Sequence, residues 1–335
     1  MTTPRPADQP ALAAEYVADD NEVMAFTAPD LISNAHTATA ELTALLRERI
    51  TSVINSRCGD PGIMLSGGID SILVAAVAAD LGYSPHAVTV VTDDDADLED
   101  LRSRDVARHL GLHHDVLDLN EDRLSGAARD CIDLLGTWEL WEITSAIPIK
   151  TAFTRFAELG AGPVLTGAGS DALFMGGAAL DVDPASPAGL AEFRERVTAR
   201  VRANFTRQRL IPDYYERLLG DRADDFIQVF QTTPFWQFAM RLDPTLLWGS
   251  GPDGDYYDKW ILRKAAIGLG VPEHLAWTTK SPLQVSSGVI GALAHSARAN
   301  LAAQPGQGTY ASPLNEPLEH TVVRQFLRHL QREYR

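Results

Sequence analysis

From Thr37 to Ile54, apolar residues fall at helical spacing, with Leu42, Leu45, Leu46, Ile50 and Val53 on one face. The run Gly62-Ile63-Met64-Leu65 then reads as a short buried strand, and the Ala/Val/Leu-rich stretch Ile72 to Leu81 as a buried helix. The alternation continues with a strand at Ala87 to Val91, a helix from Asp97 to Leu110 stopped at Gly111, and strand character from His114 to Leu119. Helices over Asn120 to Leu135 and Pro148 to Leu159 and a fourth strand, Pro163 to Thr166, complete this half. Strands alternating with helices of this length predict an α/β fold, a doubly wound parallel sheet covered on both faces. Beyond Gly177 the pattern is helical without strands: Pro187 to Gln208, Tyr214 to Leu219, Asp225 to Gln231, Trp236 to Leu242 and Tyr257 to Leu269, then about Ser286 to Ala303 and Leu318 to Tyr334. Residues 1–35, rich in Pro, Ala and Asp and without a sustained period, are expected to be a flexible extension.

The chain has 335 residues and 45% hydrophobic content, enough for a substantial core. Lys plus Arg number 29 against 45 Asp plus Glu, a net charge of −16, which argues against duplex nucleic acid or an anionic membrane as partner. Only Cys58 and Cys131 are present, too far apart and too few for a disulfide framework or a structural zinc site. No run approaches the ~18 apolar residues of a membrane helix, and the first residues lack an apolar core segment, so a cytoplasmic location is expected.

The stretch that carries chemistry is Leu65-Ser66-Gly67-Gly68-Ile69-Asp70-Ser71, where the first strand turns into a helix. Two glycines let backbone amides approach a polyanion, Ser66 and Ser71 offer hydroxyls, and the helix N-terminus adds aligned N–H groups. Asp70 would repel phosphate unless a cation lay between them, which argues for a Mg²⁺-nucleotide complex. A second loop at a strand end, Gly167-Ala168-Gly169-Ser170-Asp171, repeats the logic, and a shared Mg²⁺ site held by Asp70 and Asp171 is the expectation. The acidic run Asp93-Asp94-Asp95 reads as a solvated turn. Lys259 and Arg263 lie four apart on one predicted helical face, as solvated charges or as ligands for phosphate oxygens.

The seven-residue loop is similar to the pyrophosphate loop of the ATP pyrophosphatase superfamily. Leu65 to Ser71, Leu165 to Gly177 and Lys259 to Gly288 together resemble the synthetase domain of the asparagine synthetase and β-lactam synthetase family, over about residues 40–300. That resemblance implies an ATP pyrophosphatase-type fold with a nucleotide-binding α/β core over 36–180 and an α-rich substrate-binding part over 181–335. It further implies ATP and Mg²⁺, adenylation of a small-molecule carboxylate with release of pyrophosphate, and amide formation with ammonia or an amine. Carried over by motif, Leu65, Ser66, Gly67, Gly68, Asp70, Ser71, Val91, Gly167, Lys259 and Arg263 would hold ATP, and Asp70 and Asp171 the metal. Lys280 would neutralise charge at the α-phosphate and in the acyl transition state.

Three departures stand out. Residue 2 is Thr2 and fewer than seventy residues precede the loop, so glutamine hydrolysis is not expected; nitrogen would come from free ammonia, an amine or a separate ammonia-supplying protein. Ala168 stands where the family has Glu or Tyr, and the nearest acidic replacements are Glu139 and Glu142, which could equally decorate a helix start. The family's Arg-Val-Pro-Phe-Leu-Asp string is replaced by Thr232-Thr233-Pro234-Phe235-Trp236-Gln237, so the acid is not expected to be aspartate. Ala168, Gly169, Ser170, Phe235 and Trp236 are the expected substrate pocket, with Trp248 beside it; buried core is the commoner role for such aromatics. An NAD-synthetase-like amidation and a non-catalytic ATP-binding subunit are the alternative readings.

Overall fold

The computed structural model describes residues 23, 26–27, 30–92, 99–205, 211, 213–279, 282–304 and 312–333. Asn34 opens the first long helix, α1 (Ala35–Ser56), accepting the Thr37 amide on its side chain, and α1 buries Leu42, Leu46, Ile50 and Val53. The strand β1 (Gly62–Met64), the helix α2 (Ile69–Asp80) and β2 (His86–Val91) follow, then α3 (Glu99–Leu110), β3 (His114–Asp118), α4 (Glu121–Leu135), α5 (Leu140–Glu158), β4 (Val164–Thr166) and the single turn α6 (Ser170–Leu173). Within the main sheet every pairing is parallel and the strand order is β3-β2-β1-β4-β5, with β5 at Phe226–Gln228, the doubly wound arrangement expected. The order reverses beside β1, so the loops after β1 and β4 meet at the carboxyl edge of neighbouring strands.

The fifth strand corrects the expected helix over Asp225 to Gln231. After α7 (Pro187–Phe205) and α8 (Tyr214–Leu219), Phe226–Gln228 form β5, in register with Val164, Leu165 and Thr166 of β4. All three of its residues are buried, so no alternation betrayed a strand of this length. The half expected to be free of strands also holds a small antiparallel hairpin, β6 (Gly249–Ser250) with β7 (Tyr256–Tyr257), between α9 (Thr233–Arg241) and α10 (Trp260–Gly268). The remaining helices are α11 (Glu273–Ala276), α12 (Leu283–Ser286), α13 (Val289–Ala302) and α14 (Leu318–Glu333).

One further expectation is corrected. Helix α5 begins at Leu140, not Pro148; Glu139 caps it and Pro148 lies inside it. Burial of Ile143, Ala146, Ile147, Phe153 and Phe156 outweighs the hydrogen bond that the proline removes. Within the segment 1–35, expected to be a flexible extension, Val23 and Ile32 are buried, Phe26 meets Trp236 edge-on, and the Ile32 backbone pairs with Arg241 and Asp243, while Thr27, Asp30, Leu31, Ser33 and Asn34 are exposed. The rest of 1–35, and Asp93 to Asp95, lie outside the described residues.

Phe235, Trp236 and Trp248, expected near the substrate, belong to the larger core cluster. Phe235 and Trp236 are each 1% exposed on α9, and Phe235 packs edge-on against Phe230. The apolar face of α9 is turned into the protein because α1, α6 and α7 cover it. Trp236→Ala should therefore cost about 3–5 kcal/mol of stability, read by denaturant unfolding. On β3, burial and then the charge of Arg104 push the His114 imidazole, which meets Thr89 Oγ1 at 2.8 Å, down from 6.5 to about 4. The unfolded chain takes up this proton first, so stability should fall as pH drops from about 6.5 toward 4. His114→Asn should flatten that slope in pH-dependent unfolding.

Candidate functional site

The carboxyl edge of β1, β4 and β5 opens into a cavity of about 650 Å³, lined by both glycine loops, α5, α8 and the start of α10. Its floor is the first loop. Gly67 takes a left-handed φ of 65°, and Gly68 precedes α2 without a side-chain cap. Ser66 and Ser71 brace this turn: the Ser66 amide donates to Ser71 Oγ at 3.1 Å, the two hydroxyls lie 3.1 Å apart, and Ser71 Oγ donates to the Gly68 carbonyl at 3.1 Å. Ser66, Gly68, Asp70 and Ser71 line the cavity, while Leu65 is buried behind them, its carbonyl accepting from Thr89 Oγ1.

The second loop is pressed against the first. A Cβ on Gly167 would lie 2.7 Å from Asp70 Cβ and 2.8 Å from the Ser71 nitrogen, so only glycine permits the approach. Gly169, at φ 95°, turns the chain into α6, which carries Asp171 in its first turn. Ala168 and Gly169 line the cavity. Ser170 is buried, 1% exposed, with its hydroxyl unpaired and behind the cavity wall.

Lys259 joins the two loops. Its ammonium lies 2.7 Å from Asp70 Oδ2 and 2.5 Å from Asp171 Oδ1. Burial pulls its pKa down, but the charges of Asp70 and then Asp171 outweigh that and hold it above the ordinary lysine value. The residue caps α10 in a left-handed conformation, φ 51°, which a side chain with a Cβ adopts at a cost of about 1–2 kcal/mol. A Cβ on Gly176 would fall 1.8 Å from Asp171 Oδ1 and 2.3 Å from Lys259 Cε, so this glycine leaves room for the ion pair. Asp70 Oδ1 is buried with no hydrogen-bond partner. An orphaned carboxylate oxygen beside a second carboxylate fits a hard divalent cation, for which Asp70 and Asp171 are the available oxygen donors. Among the described residues, no cluster of three or more His, Cys, Asp or Glu offers an all-protein metal cage, so other oxygens would have to complete the shell.

Of the two roles open to Lys259 and Arg263, solvated charges or phosphate ligands, burial rules out the first. Arg263, 2% exposed, donates to the carbonyls of Asp258, Ala276 and Thr278 and to Asp258 Oδ1, and lies over the Tyr257 ring. Its main work is to hold the 276–278 segment in place. Val91 ends β2, buried outside the cavity lining, and its carbonyl accepts the Leu119 amide. Lys280 lies outside the described residues, but Thr278, Pro282 and Leu283 on either side line the cavity, and Thr92 binds the Ser287 carbonyl.

The two acidic candidates separate. The Glu139 carboxylate caps α5, accepting the Glu142 amide at 2.9 Å. Glu142 lines the cavity, with Ser145 and Ile149 on the same helix. Sequence reasoning missed Tyr214, Tyr215, Gln228, Arg200 and Asn204, which also face it. Tyr214 and Tyr215 form a pair before β5, a signal hidden once that strand was read as helix.

The family profile described as asparagine synthase matches residues 45–228, more than half of the chain. The chain belongs to the asparagine synthase family. It is 28% identical over 247 residues to an asparagine synthetase [glutamine-hydrolyzing] of Triphysaria versicolor, covering 68% of this chain and 39% of that protein. Against the enzyme of the same description from Brassica oleracea the identity is 26% over 281 residues, covering 77% and 45%. The chain thus spans less than half the length of these curated relatives. Among solved structures, the NMN synthetase of Francisella tularensis aligns at 15% identity and a TM-score of 0.34, covering 75% of this chain and 99% of that one. The matched family region ends at β5, so it contains both glycine loops and Asp70 and Asp171, while Lys259 lies beyond it.

Gly167→Ala should push the loops apart and lower the thermal midpoint by several degrees in scanning calorimetry, because the atoms it meets include backbone that has no room to yield. Asp70→Asn removes one of the two carboxylates that hold the buried Lys259 and should lower the thermal midpoint by several degrees, read by scanning calorimetry.

Proposed function

We propose that the protein is an ATP-dependent amide-forming ligase that adenylates a substrate carboxylate and transfers the acyl group to ammonia or an amine. The observation that carries this reading is the convergence of Asp70, Asp171 and Lys259 where two glycine loops meet at the carboxyl edge of the sheet. In the first step a carboxylate oxygen bonds to the α-phosphorus of ATP as the bond to the β-phosphate oxygen breaks, releasing pyrophosphate. In the second, the amine nitrogen bonds to the acyl carbon, the acyl–oxygen bond breaks, AMP leaves and the nitrogen gives up a proton.

The first loop and the α2 N-terminus would receive the pyrophosphate portion through backbone N–H groups. Asp70 and Asp171 would hold Mg²⁺, which would supply charge neutralisation at the phosphates. Lys259, bridging both carboxylates, keeps them from repelling each other and from turning away. Lys280, flanked by cavity-lining residues, is assigned the developing charge at the α-phosphate and acyl oxygens. Since Ala168 carries no proton acceptor and Glu139 is spent as a cap, Glu142 is the group left to accept the amine proton. Nitrogen would arrive as free ammonia, as an amine, or from a separate protein.

Ala168 also supports a second reading, a nucleotide-binding subunit without catalysis. The test is carboxylate-dependent release of pyrophosphate from ATP, with and without ammonia, and exchange of labelled pyrophosphate into ATP. Release of ADP and phosphate instead would overturn adenylation; ATP binding without exchange under any acid would favour the second reading. Lys280→Ala should lower turnover by ~10²-fold or more with little change in ATP affinity.

A further inference from the structure

The part of the cavity away from the phosphate loops is built for a neutral substrate body. Among the described residues, the cations that line the cavity are Lys259, paired with Asp70 and Asp171, Arg263, held by Asp258 and two carbonyls, and Arg200, which gives one N–H to the Asp171 carbonyl at 2.8 Å. On the wall between α5, α8 and β5, Ile149, Tyr214, Tyr215, Phe226 and Gln228 stand with Ser145 and the Glu142 carboxylate. Gln228 is the informative member. It is 3% exposed at the carboxyl end of β5, its Oε1 accepts from the Tyr215 hydroxyl at 3.4 Å, and its Nε2 is buried without a partner. A buried amide donor with no acceptor is costly unless a ligand supplies one.

The rim is aromatic. On α5, Trp141 sits one turn before Ser145 and within the same ~100° face as the cavity-lining Glu142, Ser145 and Ile149. It is 52% exposed, and Trp138, just before the Glu139 cap, is 87% exposed. The other end of α5 packs at the opposite edge of the sheet, where Phe156 crowds Gly62. A 19-residue helix spans about 28 Å, far beyond the three residues of β1, so the first turn of α5 stands above the sheet edge as a wall of the cavity mouth.

We propose that the acid is a monocarboxylate with an aromatic or alkyl body bearing a neutral acceptor oxygen, and that Gln228 Nε2 donates to that oxygen while Trp141 covers the distal apolar end. This rests on the adenylation reading. A polar amino diacid would set its charges against the buried aromatic rings and amide of this wall and beside the Glu142 carboxylate.

The experiment measures affinity by calorimetry with a non-hydrolysable ATP analogue and Mg²⁺, and separately acid-dependent pyrophosphate release. The probes are 3-(4-methoxyphenyl)propionate, 3-phenylpropionate, acetate and aspartate. Affinity should fall in that order from methoxyphenyl to phenyl to acetate, with aspartate at least tenfold weaker than the methoxyphenyl acid. Gln228→Leu should remove most of the advantage of the methoxyphenyl over the phenyl acid, and Trp141→Ala should cut the preference of both over acetate at least fivefold, with Trp141→Phe restoring it. Binding in this order without pyrophosphate release would refute adenylation and leave the substrate class standing. Aspartate binding as well as the aryl acids, no binding by either aryl acid, or variants that weaken every acid equally would overturn the proposal.

Discussion

The ion pair of Lys259 with Asp70 and Asp171 is the constraint on which the site depends. The three residues come from the helix after β1, the turn after β4 and the loop before α10, and each would be unfavourable alone. Two carboxylates at the end of one sheet repel each other, and a lysine 6% exposed without counter-charge would lose its proton or stay outside. Together they leave a net charge of −1 and tie the α-rich half of the chain to the sheet edge. The left-handed backbone of Lys259 and the absence of a side chain at Gly176 are local costs of this closure.

The rest of the floor follows from the same closeness. Gly167 allows the second loop to rest on the first turn of α2, and the Ser66–Ser71 brace keeps that turn from opening. One oxygen of Asp70 is taken by Lys259 and the other is buried without a partner, so the carboxylate is held in place yet not satisfied. Such a group is pre-organised for a cation, because the desolvation cost has already been met by the fold.

Away from the floor the walls change character. Arg263 is turned inward to stitch the 276–278 segment to the start of α10, a structural task that positions the neighbourhood of Lys280. Glu139 is consumed by a helix cap, leaving Glu142 on the cavity side of α5. The cavity wall away from the loops is therefore formed by α5, α8 and β5 and not by α9, whose aromatic residues fill the core.

The chain pattern alone determined the parallel sheet, the two glycine loops and the pairing of Asp70 with Asp171, because these depend on short-range order: an apolar strand, a turn that only glycine allows, and a helix start. It marked Lys259 as a charge on a helical face and left open whether that charge is solvated or turned toward a ligand. Only the tertiary structure turned that lysine inward, made β5 from a segment that reads as helix, and extended α5 back through Pro148. The physical reason is common to all three. A three-residue buried strand has no period, and a proline inside a helix is tolerated when both flanks are buried. Likewise, a buried charge is stable only opposite partners nearly two hundred residues away in the chain, which no local pattern records.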